Sequence, residues 1–79
     1  MLDLIEENIE IMGGKPVIKG TRVTVEAILR RLAEGLSVED ILKDYPYLTK
    51  QDIQAALLYA VKGAQSIATV AILYFLYSL

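Results

Sequence analysis

Three hydroxyl side chains, Thr24, Ser37 and Thr49, stand where three successive helices would begin, and the residues around them repeat one pattern. A Ser or Thr just before a helix accepts a hydrogen bond from one of the first-turn N–H groups that have no partner inside the helix. Each of the three follows an apolar residue whose apolar counterpart lies five positions on: Val23 with Ile28, Leu36 with Ile41, Leu48 with Ile53. That is the spacing of a hydrophobic staple, and at Ser37 and Thr49 an acid three residues later (Asp40, Asp52) adds an aspartate version of the capping box. The pattern predicts three helices between residues 23 and 63. A compact three-helix unit with a short connection before its last helix has the geometry of homeodomain-like DNA readers, a geometry that plain helical bundles share.

The first helix should turn Val25, Ile28, Leu29 and Leu32 inward and end at Gly35 in a left-handed cap. Its outer residues Glu26, Arg30 and Glu34 sit four apart and read as a solvated ion-pair ladder, about 0.3–0.5 kcal/mol per pair. Arg31 lies off that ladder and is freer to meet a partner. The second helix buries Val38, Ile41 and Leu42 and has to stop near Asp44, because Tyr45 precedes Pro46 and is pushed toward extended geometry. The third runs from Lys50 to Lys62 with Ile53, Ala56, Leu57, Ala60 and Val61 inward and Gly63 as its stop. Its first outward residues are Lys50, Gln51 and Gln54. On a recognition helix these would lie against base edges, where Gln pairs with adenine and Lys with guanine or phosphate. The plainer alternative is a polar face that keeps the helix in water.

Ahead of the helices, residues 2–7 are acidic and apolar by turns and leave their structure open. Ile9-Glu10-Ile11 alternates as a strand does. Gly13-Gly14 ends it, and residues 16–23 read as two β-branched runs around a turn at Gly20, a hairpin with Pro16 at an edge position. Gly13-Gly14-Lys15 is not a phosphate loop: the places where that motif carries a glycine and a Ser or Thr hold Ile9 and Pro16, so these are turn glycines.

The formal charge of −2 argues against strong non-specific binding to nucleic acid. The distribution matters more than the sum. Residues 1–10 carry four acids and no base, residues 11–25 carry Lys15, Lys19 and Arg22 and no acid, and residues 26–62 set six acids against five bases. With no Cys and no His, disulfides, Cys/His zinc sites and His-based catalysis are excluded. No catalytic residue, cofactor or metal is expected, nor a secretory signal, and the expected compartment is reducing cytoplasm. At 79 residues a single domain is expected, with a core small enough to favour a homo-oligomer.

Over roughly residues 9 to 62 the chain resembles the domain of unknown function 433 family, small bacterial and archaeal proteins regarded as VapB-like antitoxins. The resemblance is carried by Gly13-Gly14-Lys15-Pro16-Val17-Ile18-Lys19-Gly20-Thr21-Arg22, then Thr24-Val25, Ile28-Leu29, Leu32-Ala33, Gly35 and Ser37. It continues through Glu39-Asp40-Ile41-Leu42, Tyr45-Pro46-Tyr47-Leu48-Thr49 and Asp52-Ile53-Gln54-Ala55-Ala56-Leu57. It implies the antitoxin half of a two-gene module whose toxin is often a PIN-type ribonuclease, with a homeodomain-like helix-turn-helix that binds the module's own promoter DNA as a dimer. In that arrangement Lys15, Lys19 and Arg22 would grip phosphates while Lys50, Gln51 and Gln54 face the groove. The competing expectation is an oligomeric protein-interaction module with no nucleic-acid role. An enzyme is not expected.

The expected layout is an acidic N-terminus and hairpin arm over residues 1–23, a helical core over 24–63 and an uncharged apolar tail over 64–79. The tail departs from the family pattern of charged residues. Ser66 is placed to cap a fourth helix, and a helix apolar all round has to be buried on all sides. Packing in the domain and across a dimer interface is the expectation, with Ile67, Val70, Ile72, Leu73, Tyr74, Phe75 and Tyr77 as interface or partner residues. Docking on a toxin stays open. A membrane anchor is disfavoured, since a span needs about 20 apolar residues.

Overall fold

The caps fix the helix boundaries in the computed structural model, which describes residues 1–63. Among these residues the protein is mainly helical: α1 spans Val25–Ala33, α2 Val38–Asp44 and α3 Lys50–Gly63. Thr24 Oγ1 accepts from the Ala27 N–H at 3.0 Å. Ser37 and Asp40 form a reciprocal box, each backbone N–H donating to the other's side chain at 3.1 Å. Thr49 and Asp52 form the same box at 2.9 and 3.2 Å. Aspartate, one methylene shorter than the usual glutamate, therefore reaches back at both sites. The staple residues Val23, Ile28, Ile41, Leu48 and Ile53 are buried in one core, with Leu36 packed against it.

α1 ends at a left-handed glycine. Gly35 has φ +94°, its N–H donates to the Leu32 carbonyl and the Leu36 N–H to the Arg31 carbonyl, both at 3.0 Å. Those two bonds define a Schellman motif. A Cβ at Gly35 would meet nothing within 4 Å, so the positive φ and not crowding calls for glycine. α2 stops where Pro46 requires it, with Tyr45 at φ −124° and ψ 76°.

α3 packs on α1, on α2 and on the N-terminal segment. Its buried residues are Asp52, Ile53, Ala55, Ala56 and Leu57. One expectation for this helix is corrected: Val61 is 39% exposed and Ala60 only half-buried. The burial of Asp52 and Ala55 centres the inward arc on Ala56. Val61, five residues beyond it at about 100° per residue, falls on the outward side.

The N-terminal segment supplies the strands. A 3-10 turn at Leu2–Leu4 leads into β1, Ile5–Glu6, which pairs antiparallel with β2, Val17–Ile18, placing Ile5 opposite Ile18 and Glu6 opposite Val17. Ile9-Glu10-Ile11 is not a strand. Asn8 folds it into a turn by accepting the Ile11 N–H on its carbonyl at 2.8 Å and the Glu10 N–H on Oδ1 at 2.9 Å, which leaves Ile9 80% exposed. An Asn side chain bonded to the backbone two residues on stabilises a turn in competition with an extended run. Gly13 and Gly14 lie in a second tight turn, Met12–Gly14.

The turn at Gly20 forms as expected, with φ +79° there and the Thr21 N–H donating to the Ile18 carbonyl at 3.0 Å. The pairing differs from a simple hairpin across residues 16–23. The returning run contributes a single bridge, Val17 to Thr24, while the ladder partner of β2 is β1. Successive amides at the end of β2 point to opposite sides: the Ile18 N–H donates to the Val23 carbonyl at 2.9 Å and the N–H of Lys19, the next residue, to the Leu4 carbonyl at 2.8 Å. β2 is thus the middle element, and Pro16 sits just ahead of it and not on an outer edge, its carbonyl accepting the Val25 N–H at 2.9 Å. The Tyr59 hydroxyl donates to Glu7 Oε1 and ties this segment to α3.

No helix among the described residues is long and apolar enough to cross a membrane. The expected fourth helix and its residues Ile67, Val70, Ile72, Leu73, Tyr74, Phe75 and Tyr77 lie outside the described residues.

Candidate nucleic-acid interface

The Thr49–Asp52 box sets where α3 starts, and so which side chains stand at its entrance. Asp52 is only 9% exposed, and its carboxylate is satisfied by the Thr49 N–H at the positive end of the helix dipole. With Asp52 turned inward, Lys50 and Gln51 project into solvent and are exposed, while Gln54 is half-buried. Gln51, Gln54, Leu58 and Val61 follow one another at three- and four-residue steps, so a single outward stripe runs polar at the start of α3 and apolar toward its end. Leu58 and Val61 are 37% and 39% exposed.

The three bases of residues 11–25 do not converge. Lys15 is exposed at the end of the Met12–Gly14 turn. Lys19 is exposed on the side of β2 that faces the N-terminal segment. There the Asp3 carboxyl is held below its ordinary value, foremost by a hydrogen bond to the Met1 ammonium and last by the charge of Lys19. Arg22 faces the other way. Together with Ile11, Gly20, Thr21 and Tyr47 it lines an open groove of about 850 Å³ between the Gly20 turn and the α2–α3 connection.

Arg31, expected to be free for a partner, is not. It pairs with Asp44 and lies over the Tyr45 ring at 4.9 Å. The Asp44 hydrogen bond, above all, raises its already high pKa. Tyr45 in turn meets Tyr47 edge-on, with ring centroids 6.2 Å apart. The sequence reading assigned Tyr47 no role, because it lies in the short connection between α2 and α3. The available signal was a large aromatic with no apolar partner at staple spacing, and it is 62% exposed. Among the described residues no group of three or more carboxylates is gathered in a way that would hold a metal ion.

A strand pair thus braces three capped helices, with the polar entrance of α3 following the connection whose Tyr47 lines the Arg22 groove. The chain belongs to the family described as Protein of unknown function (DUF433), whose pattern matches residues 5–60. It is 38% identical over 58 residues to the uncharacterized protein y4eO of Sinorhizobium fredii, an alignment covering 73% of this chain and 26% of that protein. It is also similar to the crystal structure of a DUF433 member from Anabaena variabilis ATCC 29413, with 29% identity and a TM-score of 0.73 over 75% of this chain and 58% of that one. The chain thus spans about a quarter of the first relative and less than two thirds of the second.

Proposed function

We propose that this protein is the antitoxin-like component of a type II toxin–antitoxin module, acting by binding and not by catalysis. In this reading α2 and α3 form a homeodomain-like helix-turn-helix that engages the module's own promoter as a dimer, and a separate surface holds a PIN-type ribonuclease toxin in the cytoplasm. The observation that carries the DNA half is the exposure of Lys50 and Gln51 at the start of α3, with Gln54 one turn on. Amide and ammonium groups at that place suit base edges and phosphates. Two protomers reading two half-sites offset the weak charge of one. The toxin half rests on the family resemblance and is tested by co-expression with the neighbouring gene product and pull-down through a tag on this chain. A mobility shift with the upstream duplex at low and moderate salt tests the other half, and no shift at either salt removes DNA binding.

A second reading, an oligomeric protein-interaction module without nucleic-acid binding, is favoured by Leu58 and Val61. Their exposure gives the later turns of α3 an apolar outward stripe that suits a protein surface better than a groove of DNA. Light scattering and mobility shift of the parent chain and of Leu58→Glu separate the two: a parent that assembles through Leu58 and shifts no duplex supports the second reading.

A further inference from the structure

We propose that the groove between the Gly20 turn and the α2–α3 connection is a second DNA contact, in which Arg22 and Tyr47 hold the sugar–phosphate backbone beside the entrance of α3. The inference rests on the promoter-binding reading above and adds to it the residues that set affinity and not sequence choice.

Four observations lead there. First, Arg22 is the arginine left over. Arg30 is engaged by Glu26 at 2.8 Å and Arg31 by Asp44, whereas Arg22 is exposed with no carboxylate partner among the described residues. A guanidinium fork matches two phosphate oxygens at once, which a lysine ammonium does not.

Second, the capping box already engages the Thr49 and Asp52 amides at the start of α3. A helix N-terminus is ordinarily a ready anion site. Here the Asp52 carboxylate occupies that end, and its own charge repels a phosphate arriving there. A cation on another element adds a backbone contact to that of Lys50, and Arg22 lines the groove that reaches Tyr47, three residues before Lys50.

Third, both side chains are carried on fixed supports. The Thr21 hydroxyl donates to the Ile18 carbonyl at 2.7 Å and accepts the Val23 N–H at 3.0 Å, which locks the turn that presents Arg22. Tyr47 is braced by Tyr45, itself held under Arg31. A braced phenol loses less freedom on binding, and its hydroxyl can donate to a phosphate oxygen. Fourth, the charge selects the occupant: the lining of the groove carries the Arg22 guanidinium and no carboxylate, complementary to an anion.

The test is fluorescence anisotropy of the full chain on two labelled duplexes of equal length, the upstream sequence and a scrambled one, between about 50 and 200 mM salt. Arg22→Ala is expected to weaken binding to both duplexes by the same factor. It should also flatten the salt dependence by about 0.9 log unit per log unit, so that the variant loses about threefold less affinity over that range than the parent. Tyr47→Phe should weaken both duplexes equally, and Lys50→Ala with Gln51→Ala should reduce the preference between them. Arg22→Gln, with circular dichroism on each variant, guards against a folding artefact. The groove proposal alone is overturned if the parent binds DNA and the α3 variants lose sequence preference while Arg22→Ala and Tyr47→Phe keep affinity and slope. If the parent binds neither duplex, the promoter reading fails and the groove proposal falls with it. Polyglutamate bound by the parent and lost in Arg22→Ala would then assign the groove to an acidic protein partner.

Discussion

Replacing Thr24 and replacing Ser37 by alanine remove the same kind of cap, yet the two changes should differ severalfold in cost. Ser37 is exposed, so water takes over the acceptor role toward the Asp40 N–H, and the loss should be about 0.5–1 kcal/mol. Thr24 is 9% exposed and bridges Val17, so its Oγ1 is the acceptor within reach of the Ala27 N–H, and little water can replace it. Losing that bond costs about 1–2 kcal/mol, and losing the buried methyl adds about 0.8 kcal/mol. Thr24→Ala should therefore destabilise by about 2–3 kcal/mol. Two further variants separate the parts: Thr24→Ser keeps the cap and should cost about 0.8 kcal/mol, while Thr24→Val keeps the shape and should cost about 1–2 kcal/mol. The assay is urea unfolding followed by circular dichroism, with Tm as a check. In a domain of this size 1 kcal/mol moves Tm by about 4–8 °C, so Thr24→Ala should fall by about 10–20 °C and Ser37→Ala by only a few degrees. Equal losses for the two alanine variants, or a neutral Thr24→Val, would refute the argument that burial decides what a cap is worth.

Ile53 has no exposed surface in the first turn of α3, so Ile53→Ala should cost about 2–5 kcal/mol by denaturant unfolding, whereas Leu58→Ala on the outward stripe should stay within about 0.5 kcal/mol. Gly35→Ala should destabilise by about 1 kcal/mol through the positive φ alone, since the new methyl meets open space, and thermal unfolding reads this directly. The Asp40 carboxyl is held below its ordinary value of 3.8, first by the Ser37 N–H and then by the Ser37 hydroxyl. Its folded pKa being the lower one, the box contributes fully above the unfolded pKa and is lost as pH falls through the folded value. Carboxyl NMR should show Asp40 titrating below the ordinary aspartate value, with Ser37→Ala bringing it part of the way back up.

What could be read in the sequence was what is decided locally. A cap and its staple involve residues within five positions of one another, and Thr24, Ser37 and Thr49 all mark helix starts with their bonds in place. The stops at Gly35 and before Pro46 were legible for the same reason. Strand pairing is not local: two residues at Ile5–Glu6 carry too little pattern to announce that they form the ladder with Val17–Ile18, on the side away from Val23 and Thr24. The alternation of Ile9-Glu10-Ile11 misled because Asn8 offered the backbone a turn. On α3 the phase drawn from large residues placed Val61 inward, whereas the small Ala55 and the buried cap Asp52 rotate the inward arc away from it. Of the proposed site, the exposure of Lys50 and Gln51 was legible, but the separation of Lys19 from Arg22 was not, because it depends on which side of β2 each neighbour lies.

The proposal that the start of α3 meets duplex DNA is put to the sharpest test by titrating the isotopically labelled full chain with its upstream duplex, followed by amide and side-chain NMR. The largest shifts are expected at Lys50, at the side-chain amides of Gln51 and Gln54, and at Arg22 and Tyr47. Shifts confined to Leu58, Val61 and the opposite face of the helix, or no shifts at all, would contradict it.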